Sequence, residues 1–216
     1  GFSFHAVKNL TTAEGGALTF ALPSHFDSDE MIHWFRTMAL HGQSKSALEK
    51  TTSGQWTYDV VHAGYKCNMT DIQAALGRAQ LKKYPDQLRK RKEYAMAYHE
   101  AFERNPWYIA PNFSDAKRES SYHLFTMRIA GFKRSQRDDL MAHLKENGIA
   151  SNVHFMPLPL LTLHQNRGED IADYPHSAMA FEGLISLPLH LDMDFDDIHY
   201  IHAICAAYID KALQHG

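Results

Sequence analysis

The apolar positions change period along the chain. After an apolar opening, Ala17-Leu18-Thr19-Phe20-Ala21-Leu22 follows the pair Gly15-Gly16 and reads as a strand leaving a tight turn. Met31, Trp34, Phe35 and Met38 then recur at i, i+3, i+4 and i+7, which predicts a helix with one buried face. Ser28 is its expected N-cap, and His41-Gly42 its stop. Residues 43–63 are polar and irregular, a surface excursion. Thr70-Asp71-Ile72-Gln73 has the spacing of a capping box, in which a hydroxyl and an amide satisfy two N–H groups that the first helical turn leaves free. The helix it opens carries Ile72, Ala75, Leu76 and Ala79 on one face. Pro85 is expected to interrupt or kink it, because proline removes a helical N–H. A second helical stretch with Leu88, Ala95, Tyr98 and Phe102 would then run to about Arg104.

From Tyr122 the pattern becomes mixed. Tyr122 to Ile129 reads as a strand, Ser135 as the cap of a helix carrying Leu140, Met141 and Leu144, and Asn147-Gly148 as its stop. Ile149 to Phe155 reads as a further strand, Pro157 and Pro159 as breakers, and 164–173 as a polar loop. Leu184 to Leu187 is a short strand, and Asp194 starts a last helix with Ile198, Ile201, Cys205, Tyr208 and Ile209 inward. Strand, helix, strand, strand, helix predicts a compact α/β unit, so residues 1–84 read as the end of one domain and 85–216 as a complete smaller one.

Composition narrows the classes. At 216 residues and 44% hydrophobic content the chain can build a core. It has no run of about 18 apolar residues, so no membrane span is expected. No signal-peptide pattern opens it, and Gly1 leads straight into an apolar segment, as expected of text that begins inside a longer protein. A formal net charge of -3 disfavours nucleic acid as the main partner. Cys67 and Cys205 form no spacing pattern and read as reduced thiols of a cytosolic protein. The 15 histidines are irregularly spaced and predict no metal site. Asp192-Met193-Asp194-Phe195-Asp196 starts like a calcium loop, but Asp197 and Ala203 occupy the positions that need Gly and Glu. Arg89-Lys90-Arg91-Lys92 reads most simply as a solvated helix face, with a contact to a nucleotide diphosphate as the alternative.

Lys8 is the candidate for chemistry. A lone lysine is usually a surface charge. This one has Leu10, Thr11 and Ala13 for neighbours, and an amine packed among apolar groups favours the neutral form that condenses with an aldehyde. Ser3 lies five residues upstream with a hydroxyl suited to a phosphate oxygen, and Gly15-Gly16 lets backbone pass close by.

The segment from Ser3 to Gly16 (Ser-Phe-His-Ala-Val-Lys-Asn-Leu-Thr-Thr-Ala-Glu-Gly-Gly) resembles the cofactor-lysine segment of the DegT/DnrJ/EryC1/StrS family, with Val7 and Ala13 as departures. These are pyridoxal 5'-phosphate (PLP) aminotransferases that act on nucleotide-linked keto-sugars. Gly64-Tyr65-Lys66-Cys67-Asn68-Met69 through Gln73-Ala74-Ala75-Leu76-Gly77 is similar to a second family block, in which Lys66 replaces the usual Asn and Asn68 the common Arg. That variant looks like the sub-branch of 4-amino-arabinose-forming transaminases. Gly148-Ile149 through His154-Phe155-Met156-Pro157-Leu158-Pro159 resembles a third block, with Pro159 where the family has a second His. Ser186-Leu187-Pro188-Leu189 matches a further landmark, read as structural.

The resemblance implies a fold-type I PLP-dependent transferase of class α/β, seen as the end of its large domain plus the small C-terminal domain. It makes Lys8 the Schiff-base lysine, Ser3 a phosphate ligand, Asn68 and Lys66 phosphate or interface contacts, and His154 a substrate contact. It implies PLP as cofactor, a nucleotide-sugar (4-keto) substrate, L-glutamate as amino donor, a homodimer with composite sites, and a role in amino-sugar and cell-surface polysaccharide biosynthesis. The acid facing the pyridinium nitrogen and the aromatic stacked on the ring are expected upstream of Gly1, so the segment alone would be incomplete. The alternatives are a PLP-dependent sugar dehydratase, whose family members carry His at the lysine position, a non-catalytic regulatory or scaffolding module, and a histidine-based metal-dependent hydrolase.

Overall fold

Phe2–Ser3 (β1) and Gly16–Ala17 (β2) pair antiparallel at the start of the chain, Phe2 opposite Ala17 and Ser3 opposite Gly16. The expected strand from Ala17 to Leu22 extends no further in this ladder, because β1 offers two residues to pair with; Leu22 lies outside the described residues. The computed structural model describes residues 1–21, 23, 25–44 and 56–214. Its chain divides into two units, Gly1–Lys83 and Tyr84–Gly216.

In the first unit, α1 (Ser28–Ala39) is capped by Asp27 rather than Ser28. The Asp27 carboxylate accepts from the N–H of Asp29 at 2.8 Å and of Glu30 at 3.1 Å. A carboxylate at a helix start also gains from the helix dipole, which a hydroxyl does not. The stop falls as expected, with His41 and Gly42 both in the left-handed region (φ 59° and 68°) and the Gly42 N–H returning to the Thr37 carbonyl. The expected burial of the Met31, Trp34, Phe35, Met38 face is not found: Trp34 and Phe35 are exposed, and Thr37 is the buried residue of α1. No apolar side chain of this unit is fully buried among the described residues, so α1 has too little apolar surface to pack against. Of the excursion at 43–63, residues 45–55 lie outside the described residues, and its ends are tied by a Gln43–Val60 bridge.

The capping box forms as the spacing predicts: the Thr70 N–H donates to Gln73 Oε1 (3.0 Å), and the Gln73 N–H to Thr70 Oγ1 (3.3 Å). The helix it opens, α2 (Asp71–Phe102), runs through Pro85 as one element of 32 residues where two stretches are expected. Proline in a helix interior costs about 3 kcal/mol. Tyr94, Ala95, Tyr98 and Phe102, all buried further along α2, offset it, since each large apolar side chain contributes about 1.5–3 kcal/mol. Ile72, Ala75, Leu76 and Ala79 do share a face, but that face is exposed.

The second unit holds the core. It contains β3 (Tyr108–Ile109), a small hairpin of β4 (Ser114–Asp115) and β5 (Arg118–Glu119), β6 (Phe125–Ile129), α3 (Arg134–Glu146), α4 (Thr162–Gln165), α5 (Pro175–Glu182), β7 (Leu184–Leu187) and α6 (Phe195–Gln214). The sheet is antiparallel, in the order β3-β6-β7, with Phe125 opposite Leu187 and Met127 opposite Ile185. Phe125, Met127 and Ile129 alternate inward and meet Tyr98 and Phe102 of α2, Leu140 and Leu144 of α3, and Ile198, Ile201, Cys205 and Ile209 of α6. β6 starts at Phe125, not Tyr122, whose φ of 49° breaks the extended run. Ser135 lies inside the first turn of α3, and the Lys133 N–H is met instead by Gln136 Oε1 at 2.8 Å. Asn147-Gly148 ends α3 as expected. The expected strand from Ile149 to Phe155 reduces to one bridge, Asn152 with Ser186, because the Asn152 side chain takes the Val153 N–H at 2.7 Å and competes with the ladder. Helix α5 has no counterpart in the sequence reading. Asp194 starts α6 as expected, its carboxylate accepting from the Asp197 N–H at 3.0 Å. Among the described residues no helix is long and apolar enough to cross a membrane.

Candidate active site

Residues 4–15 form the loop between β1 and β2 that carries Lys8. Its backbone is tied across itself: the Phe4 N–H donates to the Gly15 carbonyl (2.8 Å), and the Thr12 N–H to the Phe4 carbonyl (2.9 Å). The Thr11 hydroxyl donates to that same Phe4 carbonyl (3.2 Å) and accepts from the Ala13 N–H (2.9 Å). The Thr12 hydroxyl, 1% exposed, donates to the Glu14 carbonyl at 2.7 Å. Gly15 adopts φ 148°, and a Cβ there would stand 2.6 Å from Thr12 Oγ1, so the glycine is required by both conformation and space.

Helix α2 clamps this loop. Gln73 Nε2 donates to the Glu14 carbonyl at 2.9 Å. At Gly77 an added Cβ would lie 2.9 Å from the Thr12 methyl, so helix and loop touch at a position where only glycine leaves room. Gln73 and Gly77 are readable in the sequence as a cap and as a glycine in a helical run; their contact with a loop some 60 positions away is not.

Lys8 sits at the turn closed by its own N–H to the His5 carbonyl (2.9 Å) and is half-buried. Its amine has neither hydrogen-bond nor ion-pair partner among the described residues. Ser3, on β1, is exposed, and its hydroxyl accepts a long bond from the His5 N–H at 3.4 Å, which leaves its proton free. The Lys66 ammonium donates to the Asn68 side-chain oxygen, so these two stand as a pair rather than as alternatives. Asn68 lines an open hollow of about 940 Å³ with Phe2, Gly16, Phe35, Arg36 and Cys67; Lys8, Ser3 and Lys66 are not among its walls. In the second unit, His154 Nδ1 lies 2.8 Å from the Ser186 hydroxyl. Nothing in the sequence marks Ser186, Gln73 or Thr12 as a residue of the site. No cluster of three or more His, Cys, Asp or Glu side chains is placed to hold a metal ion among the described residues.

The family model of the DegT/DnrJ/EryC1/StrS aminotransferases matches residues 1–205, and the chain belongs to that family. It is 38% identical over 201 residues to the spore coat polysaccharide biosynthesis protein SpsC of Bacillus subtilis, covering 91% of this chain and 50% of that protein. It is 30% identical over 210 residues to the UDP-4-amino-4,6-dideoxy-N-acetyl-beta-L-altrosamine transaminase of Campylobacter jejuni, covering 97% and 52%. Among solved structures, Spr1654 of Streptococcus pneumoniae in its PMP form is similar with a TM-score of 0.91 and 42% identity, over 97% of this chain and 52% of that one. Helicobacter pylori PseC, an aminotransferase involved in pseudoaminic acid biosynthesis, follows with 0.79 and 29%, over 97% and 53%. The chain thus spans about half the length of the relatives it matches. The fold is that of the corresponding half of a fold-type I PLP-dependent transferase, and Spr1654 has been solved with the cofactor in both PLP and PMP forms.

Proposed function

We propose that this chain is the portion of a PLP-dependent aminotransferase that brings the cofactor lysine, and that the whole protein moves an amino group from an amino acid, L-glutamate, to the 4-keto group of a nucleotide-linked sugar. Residues 1–84 are then the end of the cofactor-binding large domain and 85–216 the small domain. The observation that carries the reading is the state of Lys8, a half-buried amine on a loop fixed at both ends, with no carboxylate within 4 Å among the described residues. With no carboxylate beside it, the amine is open to an incoming aldehyde rather than tied in an ion pair.

The donor types suit PLP: Ser3 keeps a free hydroxyl proton, Lys66 has N–H donors left after its bond to Asn68, and the Asn68 amide nitrogen has no partner among the described residues, each a group that a phosphate dianion accepts from, and of the three Asn68 alone lines the open hollow. Bound PLP supplies an electron sink at the reacting carbon. Lys8 Nζ holds and returns the proton that moves during the reaction. His154 meets the sugar. The relatives that act in polysaccharide and UDP-amino-sugar biosynthesis support a nucleotide-sugar substrate. A homodimer in the cytosol, with the ring-facing acid and the stacking aromatic supplied by other polypeptide, completes the proposal.

The test is Lys8→Ala in the full-length protein. Borohydride should no longer trap cofactor on the chain, and turnover should fall more than about a thousandfold. Unchanged turnover would refute the assignment. A sugar product that has lost water and gained no nitrogen would point to a dehydratase instead.

A further inference from the structure

Ser186 lies on the central run of β7, 3% exposed. Its main chain is fully used, the N–H donating to the Asn152 carbonyl (2.7 Å) and the carbonyl accepting from the Asn152 N–H (3.0 Å). Among the described residues its hydroxyl meets one group, the imidazole Nδ1 of His154 at 2.8 Å. A buried hydroxyl is costly unless bonded, so the strand pairing fixes the serine and the serine fixes the ring. The ring of Phe155 stands edge-on to the imidazole, 4.7 Å between centroids at 90°. Nε2 has no partner among the described residues, and His154 is half-buried.

The kind of partner matters. A carbonyl or carboxylate only accepts, and would hold the proton on Nδ1 and leave Nε2 an acceptor. A hydroxyl both donates and accepts. With the proton on Nε2, Ser186 Oγ–H donates to Nδ1. With it on Nδ1, or with both nitrogens protonated, Nδ1–H donates to Oγ. The ring keeps one orientation while Nε2 changes between donor and acceptor.

We propose that Ser186 is a positioning residue that holds His154 so that Nε2 meets an oxygen of the sugar, hydroxyl or keto, as donor or as acceptor. This rests on the substrate-side role given to His154 above. Ser186→Ala, Ser186→Thr and His154→Ala are compared in the full-length protein. Ser186→Ala should raise KM for the keto-sugar about tenfold, the scale of one lost hydrogen bond, without altering the half-reaction with the amino donor, and should shift the 15N resonance of His154 Nδ1. Ser186→Thr, which keeps a hydroxyl, should restore both. A raised sugar KM in His154→Ala beside an unaltered KM and Nδ1 resonance in Ser186→Ala overturns the positioning role alone. An unaltered sugar KM in His154→Ala overturns the substrate role of His154 and with it the purpose assigned to Ser186. The Nδ1 resonance in Ser186→Ala decides independently of whether Ser186→Thr folds.

Discussion

Arg137 shows how much one side chain holds. It is 2% exposed, yet its side chain is polar to the tip, with five N–H donors to satisfy. Its Nε donates to Asp138 at 2.8 Å, its guanidinium donates to the carbonyls of Phe181 (2.8 Å) and Leu184 (3.3 Å), and it lies over the Phe181 ring at 4.8 Å. It therefore ties α3 to the turn between α5 and β7, the strand that carries Ser186. Arg137→Met keeps the bulk and removes the donors, leaving two carbonyls unpaired. It should cost about 2–4 kcal/mol, read as a lowered denaturation midpoint in urea. A midpoint equal to the parent's would show that water replaces the guanidinium at no cost. Cys205 is the opposite case: burial in the same core pushes its thiol up to about 12, so it behaves as a small apolar side chain rather than a nucleophile.

Helix α2 does two separate jobs along its length. Its C-terminal half is a core helix, and its first turns are a clamp on the lysine loop. Gly77 tests the clamp. Valine there should gain helix propensity yet drive into the buried Thr12, whose hydroxyl is already committed to Glu14. Gly77→Val should weaken cofactor binding about tenfold or more with helical content unchanged by circular dichroism. Unchanged affinity would mean the loop is held without this contact. The same helix marks what the sequence discloses. The capping box and the Leu88–Phe102 face are local patterns, and both are found. The exposure of Ile72 and Leu76 was not legible, because periodicity reports that a face is apolar and not that this chain covers it. Pro85 suggests an interruption or a kink because the local penalty is visible, while the aromatic residues beyond it that offset the penalty act through tertiary packing. In the site, Lys8 and its glycine pair were legible as a motif. The pairing of Lys66 with Asn68 and of His154 with Ser186 depends on side-chain directions that no spacing encodes.

The two units differ in kind. The fully buried apolar side chains among the described residues lie from Tyr94 onward, all in the second unit. The first unit exposes Phe2 at 59%, Trp34 at 41% and Ile72 at 77%, and among the described residues it fully buries no apolar side chain that could form a core of its own. Residues 84–216 expressed alone should therefore unfold in one cooperative transition. Residues 1–83 alone should show no such transition and should bind a hydrophobic dye. Cooperative melting of the shorter piece would overturn this division of labour.

One amide joins two of these levels. The oxygen of the Gln73 side chain closes the first turn of α2 through Thr70, while its nitrogen grips Glu14 on the lysine loop. Fraying of that turn consequently loosens one of the ties on the loop as well, so whatever steadies the start of the helix also helps to hold the segment that carries Lys8.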